Sequence, residues 1–469
     1  MRRRDRPFGL VGPQADPLTR SLDTLRTDLL AILRAGIGAV DAAQLTERAL
    51  ESDAARGFTR LASRQIRIIA AGKAARGMAD RAVRMLRVHL SSDVRLQPDA
   101  TLRVSGRVSG GIVIAPDEVS VPPLESIAAG HPTPNAASER AGRRALEIAR
   151  STTGDDLLLV LLSGGASALM AAPADGVSIG DKSATTARLL ESGADIHALN
   201  TVRKHLSAVK GGWLAAAAAG PSLTLAISDV VGDDPSVIAS GPTVADATTF
   251  EQALAVLEEF GGARAYPRAV VSRLEAGARG MLPDTPKPGD DRLARAATTV
   301  IGGRQNAMDG AAQEAEARGY HVMQIDDAVV GEARTTAVSH VRAVFARASS
   351  VGRPVCIISS GETTVHVTGR GRGGRNQEFA LASAALLHET PSLSALASIG
   401  TDGVDGPTDA AGAIADSTTV PRAEKLGVPS PARYLDNNDS YTFFTRLGDL
   451  VKTGPTGTNV GDLQVILLA

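Results

Sequence analysis

Apolar and polar positions along this chain follow two alternating periods. Between Leu18 and Leu50 the apolar residues Leu22, Leu25, Leu29, Leu30, Ile32, Leu33 and Ile37 recur at helical spacing, which predicts that the folded part opens with helices. Residues 66–70 then form a short apolar run, closed by Ala71-Gly72-Lys73 and followed by the helix-prone AARGMADRAVRML. The order of strand, tight turn and helix returns at GGIVIAP with NAASERAGRRALEIAR, and at DLLLVLLSGG with ASALM. Helices are expected to dominate residues 182–219, and LTLAISDV supplies a further strand. Near-continuous apolar runs that alternate with helices predict parallel sheets covered on both faces. Residues 242–295 mix helical patterns with the polar stretch LPDTPKPGDD, where a domain boundary is expected. The alternation resumes at ATTVIGG and runs through HVMQI, a helix over 333–348, PVCIISSGE, TTVHVTG, a helix over 376–387, LSALASIG and a last strand in LQVILL. The expected architecture is two α/β domains, residues 18–265 and 266–469, with mainly parallel sheets and Gly-rich loops at the strand ends where open sheets bind ligands. A disordered leader is expected over residues 1–17.

Composition narrows the function classes. Lys+Arg 50 against Asp+Glu 51 leaves a formal net charge of −1, so any anion site must be local and not a global attraction to nucleic acid or anionic lipid. Aromatic residues are 3% of the chain, too few for base-stacking platforms. The single cysteine, Cys356, lies in the apolar stretch PVCIIS; it excludes an internal disulfide framework and suits a reducing, cytoplasmic setting. The longest aliphatic run, Leu157–Leu162, is far shorter than the roughly 20 residues a membrane-spanning helix needs. A soluble protein is expected, with small-molecule partners; a homo-oligomer is compatible with the sequence. The basic leader is interrupted by Pro7, Gly9, Gly12, Pro13 and Pro17 and precedes no apolar signal core, so a transit peptide is the weaker reading of it.

Candidate chemistry sits at the strand ends. Ser163-Gly164-Gly165-Ala166-Ser167 joins an apolar strand to a helix start, where backbone amides and small residues can cradle phosphate oxygens; a plain tight turn is the competing reading. Lys73 follows another strand without the full G-x-x-x-x-G-K-[ST] pattern, so it is either an exposed lysine or an ammonium aimed at a transferring phosphoryl group. Gly369, Gly371 and Gly374 satisfy G-x-G-x-x-G, but the acidic partner of a dinucleotide site, Glu389, falls before the next strand instead of at its end. Arg370, Arg372 and Arg375 in that loop suggest an anion site, because guanidinium forks suit phosphate and carboxylate. Two acidic loops end apolar strands, one with Asp229, Asp233 and Asp234 and the other with Asp402 and Asp405, and their carboxylates, Asp229, Asp233 and Asp402 among them, are candidate Mg²⁺ ligands, with solvated turns as the alternative. His131, in AGHPTPN, is a turn histidine or a substrate contact, and the eight histidines show no zinc-ligand spacing.

Together these segments resemble the class II glycerate kinases, the glycerate 2-kinase family whose carboxy-terminal part is the MOFRL domain. The resemblance rests on AGKAA at 71–75, AGHPTPN at 129–135, LLSGGASAL at 161–169, NTVRKHLSAVKGG at 200–212, SDVVGDDPSVIASGPT at 228–243, GGRNQEFAL at 373–381, GTDGVDGPTDAAGA at 400–413 and TGPTGTNVGDLQ at 453–464. It implies an active site in an interdomain cleft and transfer of the γ-phosphoryl of ATP, with Mg²⁺, to the C2 hydroxyl of D-glycerate. It further implies Lys73 and Arg375 as the catalytic pair, Ser163, Gly164, Gly165, Ser167, Asp229, Gly400 and Asp402 around the nucleotide, and His131, Arg203, Lys204 and Arg375 around the substrate. A hydroxypyruvate or tartronate semialdehyde reductase using NAD(P)H, and a nucleotide-binding regulator without turnover, are the alternatives.

Overall fold

The structure, a computed structural model, describes residues 20–52, 55, 57, 65–88 and 107–469; the expected leader lies outside them. Six parallel strands form the first sheet: β1 (Gln65–Ala71), β2 (Arg107–Ala115), β3 (Glu125–Ala128), β4 (Leu157–Leu162), β5 (Ser222–Ile227) and β6 (Ala296–Gly302), in the order β3-β2-β1-β4-β5-β6. Successive strand residues face opposite sides. Ile66, Ile68 and Ala70 therefore pack with Met78 and Ala82 of helix Ala75–Val88, while Ile69 and Ala71 pack with Ala141 and Ala145 of helix Ala136–Arg150. Both faces are covered, which is why the strands read as unbroken apolar runs. Asn135 starts the second of these helices through a reciprocal capping box with Ser138.

The second sheet contains β7 (His321–Gln324), β8 (Val329–Glu332), β9 (Val355–Thr364), β10 (Ser394–Gly400), β11 (Gly412–Asp416), β12 (Leu450–Val451) and β13 (Asp462–Leu468). Here the expectation of mainly parallel pairing needs correcting. β13 inserts between β9 and β10 and runs antiparallel to both, and β11 runs antiparallel to β10 and β12; only β7 and β8 pair parallel, each with β9. An apolar run such as LQVILL reports burial on both faces and carries no sign of strand direction. The segment TTVHVTG supplies only the end of β9, and its remainder is irregular.

Strand pairing also moves the expected boundary. β6 lies beyond residue 265 yet hydrogen-bonds to β5, so we propose the division between the two units after Gly302. The first helix, Leu22–Ala39, crosses back: Leu25, Leu29, Ile32 and Leu33 are buried against Met308 and Ala311 of helix Arg304–Ala317 and Leu463 and Val465 of β13. Among the described residues no single helix is long and apolar enough to cross a membrane; Leu22–Ala39 and Ala42–Glu51 pass that test only as a bent pair.

Candidate active site

The strand order β3-β2-β1-β4-β5-β6 places a topological switch between β1 and β4, and ligands of open parallel sheets bind at the carboxyl ends beside such a switch. The loops after these two strands are knit together there. The Lys73 amide donates to the Gly164 carbonyl at 2.9 Å, and the Ala74 amide donates to Ser163 Oγ at 3.0 Å. Gly164 has no room for a side chain, because a Cβ would stand 2.2 Å from Asp229 Oδ2 and 2.5 Å from Asn459 Nδ2. The loop after β5 thereby presses Asp229 against the β4 turn, where Asn459 donates to its Oδ2 at 3.0 Å.

Loops of the second sheet close a cleft of about 980 Å³ over these strand ends. Lys73, His131, Gly165 and Asp229 line it from the first sheet; Glu362, Arg375, Asp402 and Asn459 line it from the second. Lys73 Nζ meets Asp402 Oδ2 at 2.8 Å across the cleft. Arg375 opens helix Arg375–Glu389, and its Nε donates to both oxygens of Asp462 at 3.0 and 2.8 Å while Nη1 reaches Glu362 at 2.9 Å. Asp462 is fully buried and also accepts from Asn376 Nδ2 at 2.8 Å. Burial lowers the guanidinium pKa and pairing with Asp462 and Glu362 raises it, with a net rise, so Arg375 stays charged. Asp405 accepts the amides of Asn376 and Gln377 at 3.0 and 2.8 Å and so occupies the start of the same helix.

The charges in the cleft act on one another. Asp229 is pushed up to about 6, by burial first and then by Glu362, against the opposing pull of Lys73 and Arg375. Burial and the Lys73 ammonium lower the His131 imidazole pKa, with Asp402 opposing. Among the described residues no three acidic or histidine side chains converge tightly enough to enclose a metal by themselves. A Mg²⁺ ion keeps waters and takes one or two carboxylates alongside substrate phosphates, so it requires no such enclosure.

A family model described as a domain of unknown function (DUF4147) matches residues 28–275, and the model of the MOFRL family matches residues 355–462. D-glycerate 2-kinase of Thermotoga maritima is 40% identical over 77% of this chain and 85% of its own length. Glycerate kinase of Rattus norvegicus is 34% identical over 100% and 97%. The chain belongs to the glycerate kinase family. A crystal structure of glycerate kinase from Thermotoga maritima superimposes with a TM-score of 0.79 at 35% identity, covering 95% of this chain and 100% of that one. A relative from Agrobacterium vitis, 40% identical over 76% of this chain and 81% of its own, carries a provisional hydroxypyruvate reductase name.

Within this glycerate kinase fold, the expected site residues divide into two groups. Lys73, His131, Gly165, Asp229, Arg375 and Asp402 share the cleft, with Ser163 and Gly164 directly behind them. The others lie elsewhere. Lys204 is buried against Asp246 at 3.3 Å, and Arg203 reaches Thr186 Oγ1 at 3.5 Å, so neither lines the cleft. Ser167 turns to Ser240 Oγ and Lys210 Nζ, both at 2.9 Å. Asp233, at φ 52°, stands over Gly303, where a Cβ would lie 2.8 Å from its Oδ1, and does not join Asp229. Gly400 is spent on the sheet, its amide donating to the Ala411 carbonyl at 2.8 Å. Arg370 and Arg372 are exposed outside the cleft lining, and Arg372 stacks on Tyr441 at 4.8 Å. The glycines of the G-x-G-x-x-G string leave room for other groups: a Cβ at Gly369 would be 2.2 Å from the Asn437 carbonyl oxygen, and one at Gly374 would be 2.3 Å from the Asp405 side chain at Cγ. Close packing accounts for that pattern without a dinucleotide. Glu362, Asn459 and Asp462 are not singled out by the sequence reading, although the strings ISSGE and TGPTGTNVGDLQ contain them.

Proposed function

We propose that this protein transfers the γ-phosphoryl of ATP to the C2 hydroxyl of D-glycerate, giving 2-phosphoglycerate and ADP. The observation that carries the reading is the convergence of Lys73 and Arg375, one from each sheet, on a cleft whose central carboxylate, Asp229, responds to both. Phosphoryl transfer asks for positioning and charge neutralisation more than for covalent chemistry. Lys73 offsets charge on the transferring group as the C2 hydroxyl releases its proton to solvent, the new C2–O–P bond forms and the bond to the ADP oxygen breaks. Arg375, fixed through Nε by Asp462 and through Nη1 by Glu362, offers its remaining guanidinium N–H groups to the glycerate carboxylate. The Ser163–Gly165 turn, whose small residues allow close approach, backs the nucleotide phosphates. Asp229 and Asp402 would hold Mg²⁺ together with phosphate oxygens, and the ion supplies the remaining positive charge. A reducing, cytoplasmic setting belongs to this reading and is supported by the lone, buried Cys356.

The test is product identity. Incubation with ATP, Mg²⁺ and D-glycerate is expected to give 2-phosphoglycerate by phosphorus NMR and by coupling through enolase without a mutase. A product that is mainly 3-phosphoglycerate refutes C2 transfer. NADH oxidation with hydroxypyruvate, in the absence of ADP release from ATP and glycerate, would replace the kinase reading by the reductase one.

A further inference from the structure

Outside the cleft lining, Lys182 of helix Ile179–Glu191, Arg203 of helix Ile196–His205 and Lys210, in the turn beyond that helix and beside Ser167, are three basic side chains without an ion-pair partner among the described residues. Lys182 is 6% exposed, and its Nζ has no hydrogen-bond partner among the described residues. Lys210 is 2% exposed and donates only to neutral oxygens: the Ser167 carbonyl and hydroxyl at 2.9 Å and the Ala239 carbonyl at 3.3 Å. Arg203 reaches only a threonine hydroxyl. The neighbouring Lys204, by contrast, has its carboxylate in Asp246. On the same helix as Arg203 and one turn earlier, Asn200 accepts from Ser240 Oγ at 2.9 Å, but its buried Nδ2 has no acceptor.

The three cations share one electrostatic neighbourhood. Burial first, and then Arg203, push Lys182 down to about 7; burial, Lys182 and Arg203 lower Lys210 as well. Glu139 is the one carboxylate that favours charge on Lys182; it is itself 3.5 Å from Arg143, which with Arg273 adds further positive potential. Burying unpaired charge costs far more than serine hydroxyls and carbonyls return. A polar cluster this rich in unused donors is built for an acceptor that the protein does not supply.

We propose that Lys182, Arg203, Lys210 and the Asn200 amide form a second anion-binding site, separate from the cleft, for a phosphate group. Phosphate suits it better than carboxylate, because a dianion with at least three acceptor oxygens can meet three cations and an amide, whereas a carboxylate leaves most of the charge unopposed. Arg203 is the least buried of the four residues. The group can arrive as inorganic phosphate or as the phosphoryl end of a small metabolite. Ser167 would sense it, since its hydroxyl binds Lys210 and it lies two residues from Gly165 on the cleft wall.

The experiment is calorimetric titration of the full chain with inorganic phosphate in chloride buffer, for wild type, Lys182→Met and Lys73→Met. Saturable binding is expected in wild type and in Lys73→Met, weakened about ten-fold or more in Lys182→Met, as loss of a buried charged donor implies. If Lys182→Met does not fold, Arg203→Gln makes the same comparison. Parallel titrations with ADP and 2-phosphoglycerate identify the source: a Lys182-dependent loss for either assigns the site to that phosphoester, and a loss confined to inorganic phosphate assigns it to the free ion. Absence of saturable phosphate binding in wild type overturns the proposal. So does binding that Lys73→Met abolishes and Lys182→Met leaves intact, because the anion then occupies the cleft; neither result bears on whether the cleft transfers phosphoryl groups.

Discussion

Asp229→Asn should make this protein more stable in metal-free buffer at neutral pH. The carboxyl is held at about 6 against an ordinary 3.8, by burial and by Glu362. A shift of about two units corresponds to roughly 3 kcal/mol of penalty on the ionised form, as an upper bound. Asparagine keeps the shape and can still accept from Asn459 through its amide oxygen, so the charge is the main thing removed. For domains of 150–250 residues about 1 kcal/mol moves the melting point by roughly 2–4 °C, which places the gain between a few degrees and about 10 °C. The pH dependence has a definite sign. Between about 4 and 6 the native state binds a proton that the unfolded chain has lost, so wild-type stability falls as pH rises through that window. Melting curves in EDTA should therefore show a gap between variant and wild type that grows from pH 5 to pH 7.5 and is constant above it. A variant no more stable than wild type at pH 7.5, or a gap that is the same at pH 5, would refute the reasoning.

Other expectations follow from the same geometry. Lys73→Met should lower kcat by about 100-fold or more at saturating substrates, as removal of a transition-state charge does, and steady-state kinetics in which only KM rises would instead make Lys73 a ground-state binder. Arg375→Lys keeps the charge but loses the bifurcated Nε–H contact with Asp462, so it should lower both kcat and the melting temperature; near-wild-type values for both would remove that contact from the account. Chelation should abolish glycerate-dependent ADP release, with recovery on Mg²⁺ but not on Zn²⁺ alone, because the cleft offers hard oxygen ligands. Cys356 is fully buried and its thiol pKa is raised by burial, so thiol reagents should label it at a rate set by unfolding; rapid labelling of the native protein would contradict the packing.

What could be read from the chain was local. Lys73 and the Ser163–Gly165 turn directly follow apolar strands, and strand ends of a parallel sheet are where ligand loops belong. Relations across long stretches of chain were not legible. Asp462 grips Arg375 from 87 residues away, and that contact exists only because β13 inserts beside β9, a pairing no periodicity encodes. Arg203 and Lys204 show the opposite failure: adjacent residues on a helix point about 100° apart, so one basic pair serves two buried environments and neither reaches the cleft. Asp233 is four residues from Asp229, yet a left-handed turn at Asp233 itself sends it to the start of another helix.

The carboxylates around the cleft are not interchangeable, and their partners divide them. Asp462 is committed to Arg375 and Asn376, and Asp405 to the first amides of helix Arg375–Glu389; neither can turn to a ligand without leaving a buried donor unpaired. Their work is done in advance, since a guanidinium already locked by a buried carboxylate loses little further freedom when substrate arrives. Asp402 spends Oδ2 on Lys73 and Oδ1 on the Val404 amide, whereas Asp229 and Glu362 line the cleft together; positive charge placed between these two would relieve the part of the rise at Asp229 that burial does not cause. Lys73 pairs with Asp402 and Arg375 with Glu362 and Asp462, so two cations already face four carboxylates, Asp229 included, before the phosphates of a nucleotide arrive. Under the proposed function, that surplus of negative charge is the physical reason to expect the cleft to take its nucleotide as a complex with a divalent cation and to reject the bare polyanion.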